Sequence, residues 1–266
     1  MKIKGIDDVD IDIPNVNVHN VETFAIIIAN ENYKRVEKVP YALNDGKTFA
    51  EYCNKTLGVP EQNIHLVEDA TLNDLKYNVN WLQNVLKAYN GEGKVIFYYA
   101  GHGIPDNFGK NSYLLPVDGY ASDSTTGYAL SNLLNSLGKL PAKSIVVFLD
   151  ACFSGAKREE GMLVSSRGVA IKAKNTEPVG NMVVFSAAQN DETAYPYKEQ
   201  QHGMFTYYVL KKIKESEGNV TLGELGDYVT KQVGRQSVVI NGKSQSPMVV
   251  CAKNLTDKWK MFKLNN

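Results

Sequence analysis

The chain has 266 residues, of which 43% are hydrophobic and 22% charged, with 29 Lys and Arg against 29 Asp and Glu. This balance excludes a disordered polyelectrolyte and provides no basic excess for binding nucleic acid. No apolar run approaches the roughly 18 residues of a membrane span, and the N-terminus lacks the apolar region of a signal peptide. We therefore expect a soluble protein of one or two domains, cytoplasmic by default and without a nucleic-acid or membrane partner.

The cysteines and histidines form no metal-binding pattern. Cys53, Cys152 and Cys251 are an odd, widely spaced set, unlike a disulfide framework. With four scattered histidines they offer no zinc-ligand spacing. The acidic residues between positions 7 and 12 match no calcium-binding loop and are interpreted as solvated surface. No metal or cofactor is predicted, and a single functional thiol remains open.

The chain divides into a polar segment and an alternating domain. Residues 1–21, rich in Asp and Asn, are predicted to be a leader or linker that has room for an edge strand, and residues 22–266 form the domain. There, continuous apolar β-branched runs indicate buried strands, and apolar residues at helical spacing indicate helices. In chain order the predictions are strand Thr23–Ala29, helix Tyr41–Leu57, strand Asn63–Glu68, helix Leu72–Tyr89, strand Lys94–Ala100, helix Tyr128–Leu137, strand Ser144–Asp150, strand Asn181–Ala187, helix Gly203–Lys214, helix Leu222–Val233 and strand Gln245–Ala252.

This alternation predicts the fold class. Strand and helix in succession favour a mainly parallel, six-stranded sheet with helices on both faces, a three-layer α/β/α sandwich. Asn111–Val117 is predicted to belong to a hairpin outside that sheet, and Pro247 assigns the last strand to an edge. Phe153–Gly180 has no periodic pattern, and a loop this long is typical of a functional or mobile segment.

Two predicted strands end in residues that carry chemistry. The strand at 94–100 continues into Gly101-His102-Gly103, and the strand at 144–150 into Ala151-Cys152. Sites in open α/β sheets form at the carboxyl ends of the strands, so adjacent strands would bring His102 and Cys152 together. An imidazole can activate a thiol, and glycine lets backbone N–H groups approach an oxyanion. The arrangement predicts acyl transfer.

The motifs YYAGHG and LDACFSG resemble the histidine and cysteine signatures of caspase-like cysteine peptidases, which include caspases, metacaspases and paracaspases. ALND at 42–45, SAA at 186–188, ETAY at 192–195 and HGMFT at 202–206 resemble bacterial members of that family. The resemblance implies the caspase-like fold and a cysteine endopeptidase without a cofactor, acting on a peptide or protein. It also implies His102 and Cys152 as the catalytic dyad, and the backbone N–H groups of Gly103 and Cys152 as the oxyanion hole.

The resemblance further implies a preference for basic substrates. In clostripain-like and metacaspase-like relatives an acidic residue two positions before the cysteine lines the pocket for the P1 side chain, the residue after which the enzyme cuts. Here that residue is Asp150, which would pair with Arg or Lys. Metacaspases use a second Asp after the next strand, and Asp191 is the available residue although its motif departs from theirs.

The long loop carries residues that such a pocket would accept. Because caspase-like relatives often cut their own chain between the corresponding strands, we predict self-cleavage after Lys157, Arg158 or Arg167. Other hypotheses stay open: a catalytically silent interaction module of the same fold, and a transamidase in which an amine resolves the thioester. A flavodoxin-like ligand-binding domain would need a glycine-rich phosphate loop, which residues 30–33 do not provide.

Overall fold

The structure, a computed structural model, describes residues 9–106, 111–153, 177–189, 192–256 and 258–265. Its centre is a six-stranded sheet in the order β11-β8-β7-β3-β1-β2, with a three-stranded sheet β4-β5-β6 and a short ribbon of β9 and β10 beside it. In chain order the strands are β1 (Thr23–Ala29), β2 (Ile64–Glu68), β3 (Lys94–Ala100), β4 (Gly103–Pro105), β5 (Ser112–Leu114), β6 (Tyr128–Ala129), β7 (Ser144–Asp150), β8 (Met182–Ser186), β9 (Pro196–Tyr197), β10 (His202–Gly203) and β11 (Met248–Cys251).

The helices cover both faces of the large sheet. They are α1 (Ala42–Lys55), α2 (Leu72–Leu86), α3 (Leu130–Gly138), α4 (Met204–Glu215) and α5 (Leu222–Asn241). Even-numbered residues of β7, such as Phe148, face α1, α4 and α5, and odd-numbered ones, such as Val147, face α2 and α3. Both faces of the central strands are therefore buried, which explains their unbroken apolar sequences.

The predicted α/β/α sandwich is confirmed. All pairings in the large sheet are parallel except that of β11 with β8, and β11 is an edge strand as Pro247 indicated. A capping box formed by Thr221 and Glu224 opens α5. Several predicted boundaries are wrong: α5 continues eight residues past Val233, and β11 begins at Met248 instead of Gln245. Helix α3 begins only at Leu130 because the two residues before it pair with β5.

The part of the N-terminal segment that the structure covers, residues 9–21, contains no strand and packs on the domain. Val9 is fully buried in the core, and its carbonyl accepts a hydrogen bond of 2.9 Å from the Tyr52 hydroxyl. The Val16 N–H donates to the Lys55 carbonyl at 2.9 Å. These contacts join the segment to α1. Nowhere in the described ranges is a helix both long and apolar enough to cross a membrane.

Candidate functional site

Strands β3 and β7 are neighbours and run in register, with Ala100 opposite Asp150. The ladder continues one step beyond both strands, because the Gly101 N–H donates to the Asp150 carbonyl at 3.2 Å. His102 follows Ala100, and Cys152 follows Asp150, by the same number of residues, so both lie at the same edge of the sheet. Both are nearly enclosed, with exposed fractions of 5% and 8%. The structure thus brings together the two residues that the strand ends pointed to.

The loop between β1 and α1 fixes the position of His102. Its Nε2 lies 2.6 Å from the Glu37 carbonyl oxygen. A carbonyl oxygen only accepts, so Nε2 carries the hydrogen and Nδ1 is the basic nitrogen of the ring. The His102 backbone N–H donates to the Tyr33 hydroxyl at 2.7 Å, and the Tyr33 ring packs against the imidazole with centroids 4.7 Å apart. On the other side, the Tyr99 hydroxyl donates to the His102 carbonyl at 2.8 Å.

Gly103 lies directly against the chain that carries the thiol. A Cβ atom at this position would stand 2.7 Å from the Cys152 carbonyl oxygen and would collide with the ring of Phe153. Only glycine permits this approach. The backbones of the two residues predicted to supply oxyanion donors are therefore in contact.

Asp150 is buried on the face of the sheet that α4 covers. Its Oδ2 accepts hydrogen bonds from the Thr206 hydroxyl at 2.7 Å and from the Thr206 N–H at 3.3 Å. The Tyr98 hydroxyl lies 2.7 Å from the same Thr206 hydroxyl. The Asp150 side chain, with an exposed fraction of 6%, is held in one orientation by α4.

A small, partly open cleft lies beside Asp150 at the carboxyl ends of β3 and β7. Among the residues that the structure describes, its lining contains two carboxylates and no cationic side chain. The lining residues are Val39, Pro40, Asp45, Ala100, Asp150, Tyr195, Pro196 and Gly203. A cleft with this charge suits a cationic side chain.

Asp45 is the second carboxylate of this cleft, and the sequence alone predicted no role for it. It is buried in the first turn of α1, within the ALND motif that marked the family resemblance. Burial raises its pKa to about 7, and Asp150 acts in the same direction, while hydrogen bonding from His202 opposes the shift. The motif was the available signal, but only the packing of α1 against β3 and β7 shows that Asp45 and Asp150 share a cleft.

The contact between Asp10 and His202 corrects one interpretation of the sequence. His202 lies in β10 and is fully buried. Its Nδ1 is 2.7 Å from Oδ1 of Asp45, and its Nε2 is 2.8 Å from Oδ1 of Asp10. Asp10, interpreted as solvated surface, is thus the partner of a buried imidazole. Sequence spacing could not show this, because 192 residues separate the pair.

The remaining predicted residues lie outside the described part of the chain. They are Asp191, the second acidic residue for the pocket, and Lys157, Arg158 and Arg167 in the long loop. Among the residues that the structure describes, no group of three or more His, Cys, Asp and Glu side chains could hold a metal ion.

Comparison with known proteins identifies the family. The family model named "Caspase domain" matches residues 22–258. A paracaspase of Dictyostelium discoideum is 26% identical over 214 residues, which is 79% of this chain but 48% of that protein, so the chain spans about half the length of this relative.

Two solved structures share the fold. Caspase-1 from Spodoptera frugiperda superposes with a TM-score of 0.62 at 15% identity, over 88% of this chain and 89% of that one. A protein of Geobacter sulfurreducens superposes with a TM-score of 0.66 at 15% identity, over 92% of this chain and 98% of that one. With the family model matching most of its length, the chain belongs to the caspase-domain family.

Proposed function

We propose that this chain is a cysteine endopeptidase in which Cys152 is the nucleophile and His102 carries the proton. The observation that carries the proposal is the register of β3 and β7, which sets the two residues side by side. The hydrogen bond from Nε2 of His102 to the Glu37 carbonyl supports it, because that bond makes Nδ1 the basic nitrogen of the ring.

The proposed reaction is acyl transfer through a thioester. The thiol proton passes to His102 as Sγ of Cys152 bonds to the scissile carbonyl carbon. The N–H groups of Gly103 and Cys152 are the proposed donors to the oxyanion. The intermediate collapses, the C–N bond breaks, and the leaving amine takes the proton from the imidazolium. Water then attacks the thioester with His102 as base, the C–S bond breaks, and the thiol recovers its proton.

The proposed substrate has Arg or Lys at P1. The acidic cleft supports this preference, because Asp150 and Asp45 line it and none of its described lining residues is cationic. Caspases that select Asp need arginines in this pocket. Arg35, in contrast, lies over the Tyr120 ring and donates to the Asp118 carbonyl at 2.7 Å, and it is not among the lining residues. Asp191 stays part of the proposal as a further acidic residue.

We also propose that the enzyme cuts itself after Lys157, Arg158 or Arg167. Cys152 and Phe153, the last described residues before that segment, belong to the candidate site, so the segment begins where the substrate would bind. The acidic cleft would accept these basic residues as it would those of another substrate.

A P1 scan with a fluorogenic peptide library tests the proposal, with the Cys152→Ala protein as control. We expect hydrolysis of Arg and Lys peptides by the wild type alone. A folded wild type that cleaves no peptide would favour the catalytically silent module, and product formed only when an amine is added would favour the transamidase.

A further inference from the structure

The short stretch from β10 into the first turn of α4 contacts both carboxylates of the cleft. His202 Nδ1 lies 2.7 Å from Oδ1 of Asp45, and the Gly203 N–H donates to Oδ2 of Asp45 at 3.0 Å. Three residues later, the hydroxyl and N–H of Thr206 bind Oδ2 of Asp150. The motif HGMFT at 202–206 therefore orients the two acidic side chains from one side.

The imidazole of His202 is itself held by the N-terminal segment. Its Nε2 lies 2.8 Å from Oδ1 of Asp10, an oxygen that also accepts a hydrogen bond of 2.9 Å from the Thr48 hydroxyl. The Asn44 amide nitrogen lies 3.2 Å from the same Nε2. Each nitrogen–carboxylate contact needs a hydrogen, and when both carboxylates are ionised only an imidazolium supplies the two hydrogens. Burial opposes charge on the ring, but the hydrogen bonds to Asp10 and Asp45 outweigh it and raise the pKa of His202 to about 9.

Asp10 affects the net charge of the groups beside the cleft. An imidazolium paired with Asp45 alone would cancel the charge of that carboxylate. With Asp10 on the other nitrogen the three groups carry a net charge of −1, and Asp45 retains attraction for a cation. Burial raises the pKa of Asp45 to about 7 and Asp150 adds to the shift, while the imidazolium opposes both and keeps that pKa from rising further.

Asp10 lies on a segment that is anchored along its length. Val9 is fully buried, the Thr56 hydroxyl donates to the Pro14 carbonyl at 2.7 Å, and Lys214 donates to the Ile11 carbonyl at 2.7 Å. The segment precedes residue 22, where the match to the family begins.

We propose that Asp10 and His202 are positioning residues for Asp45, so that the N-terminal segment, residues 9–20, is part of the site that binds a basic P1 side chain. This proposal rests on the proposed function. It assigns the segment a role in substrate affinity, whereas a leader or linker would have none.

The test compares Asp10→Asn with Asp12→Asn, the same change at an exposed position of the same segment. KM and kcat are measured with a peptide that has Arg at P1 and with its citrulline analogue, which has the same shape without the charge. We expect Asp10→Asn to raise KM for the Arg peptide about tenfold, to change kcat and the citrulline reaction less than about twofold, and Asp12→Asn to match the wild type. Asp10→Glu, which keeps the charge, should restore most of the affinity.

The pH profile separates positioning from general stabilisation. In the wild type KM for the Arg peptide should rise as the pH falls through about 7, because Asp45 takes up a proton there. In Asp10→Asn the rise should begin at a higher pH, because a weaker imidazolium opposes protonation of Asp45 less. Binding of a labelled peptide ending in Arg to the Cys152→Ala background reports affinity without turnover, and Asp10→Asn should weaken it to the same extent.

Several outcomes would overturn the proposal. An unchanged KM for the Arg peptide in Asp10→Asn would do so, as would an equal loss with Arg and citrulline. If Asp10→Asn does not fold, Thr48→Ala carries the same test, since it removes the hydroxyl that orients Asp10. It should raise KM for Arg about twofold, selectively, and no rise contradicts the proposal. A wild type without a preference for Arg defeats the proposed function itself, whereas an Arg preference that survives in Asp10→Asn defeats only the positioning role.

Discussion

Gly203 stands against the carboxylate of Asp150 so closely that a methyl group at position 203 would overlap its Oδ2 atom. The same methyl group would lie 3.1 Å from Oδ2 of Asp45. A residue without a side chain is therefore what lets β10 approach both carboxylates of the cleft. The glycine is needed for space here, since its φ of −62° is open to any residue.

Gly203→Ala should displace the Asp150 carboxylate and weaken binding of a basic P1 side chain. We expect kcat/KM for an Arg peptide to fall at least about tenfold, and the protein to lose roughly 1–3 kcal/mol of stability, as is typical of overpacking. Gly234→Ala is the matched control, because a Cβ atom there meets only one atom, at 4.0 Å, within helix α5. Steady-state kinetics and urea unfolding check both, and equal behaviour of the two variants would contradict the prediction.

Asp150→Asn should remove the preference for Arg and Lys. A buried charge pair that loses one partner costs roughly 3–5 kcal/mol, which corresponds to about two to three and a half powers of ten in kcat/KM. The amide keeps the shape of the side chain and can still accept from Thr206, so the fold should persist. The P1 profile of the variant is compared with that of the wild type, and a wild-type profile dominated by Asp or Asn would refute the assignment.

Cys152→Ala and His102→Ala should keep the fold and lose nearly all peptidase activity. Neither side chain is large, and both residues follow strands whose ladders hold without them. Hydrolysis of the best Arg peptide is measured for both variants beside the wild type, with circular dichroism as the control for folding. Turnover by Cys152→Ala comparable to the wild type would eliminate the proposed nucleophile.

Stability should fall as the pH rises through the range in which His202 loses its proton. Its pKa is raised from 6.5 to about 9 in the folded protein, so the stabilisation is complete below pH 6.5 and is lost by about pH 9. The raised pKa of Asp45 acts in the same direction at lower pH, between 3.8 and about 7. The loss attributable to His202 is on the order of 3 kcal/mol.

Urea unfolding of the wild type and of His202→Gln at pH 6 and pH 9.5 isolates this contribution. The variant keeps the other titrating groups that face the ring, namely Asp10, Asp45 and Tyr207, so the difference between the two proteins reports the loss of the imidazole. We expect the variant to be less stable at pH 6 and the gap to close at pH 9.5. A gap that widens with pH would mean that the buried imidazole is neutral.

Self-cleavage should divide the chain into two fragments that remain associated through the large sheet. The wild type and Cys152→Ala are incubated in parallel, and intact masses are measured at intervals. We expect cuts after Lys157, Arg158 or Arg167 in the wild type only. A wild type that stays intact while it cleaves peptides would disprove self-processing, and equal nicking of both proteins would identify a contaminating protease.

The sequence by itself determined the fold class and the candidate pair of residues. Unbroken apolar runs such as Ile145–Leu149 predict strands buried on both faces, and such strands with helices between them have few arrangements other than a parallel sheet. Parallel neighbouring strands end at the same edge of a sheet. The residues that follow β3 and β7 therefore predicted a candidate active site from the sequence alone. Local patterns were sufficient here because the relevant contacts follow from strand period and chain order.

Only the tertiary structure decided the second set of contacts at the site. The hydrogen bond from His102 to the Glu37 carbonyl spans 65 residues, and that between Asp45 and His202 spans 157. Neither contact leaves a periodic pattern in the sequence, because each joins a loop or a strand end to an element far away in the chain. Asp10 reads as surface in the sequence because a lone carboxylate is normally solvated. Val9 is buried in the core, and this places the adjacent Asp10 within hydrogen-bonding distance of His202.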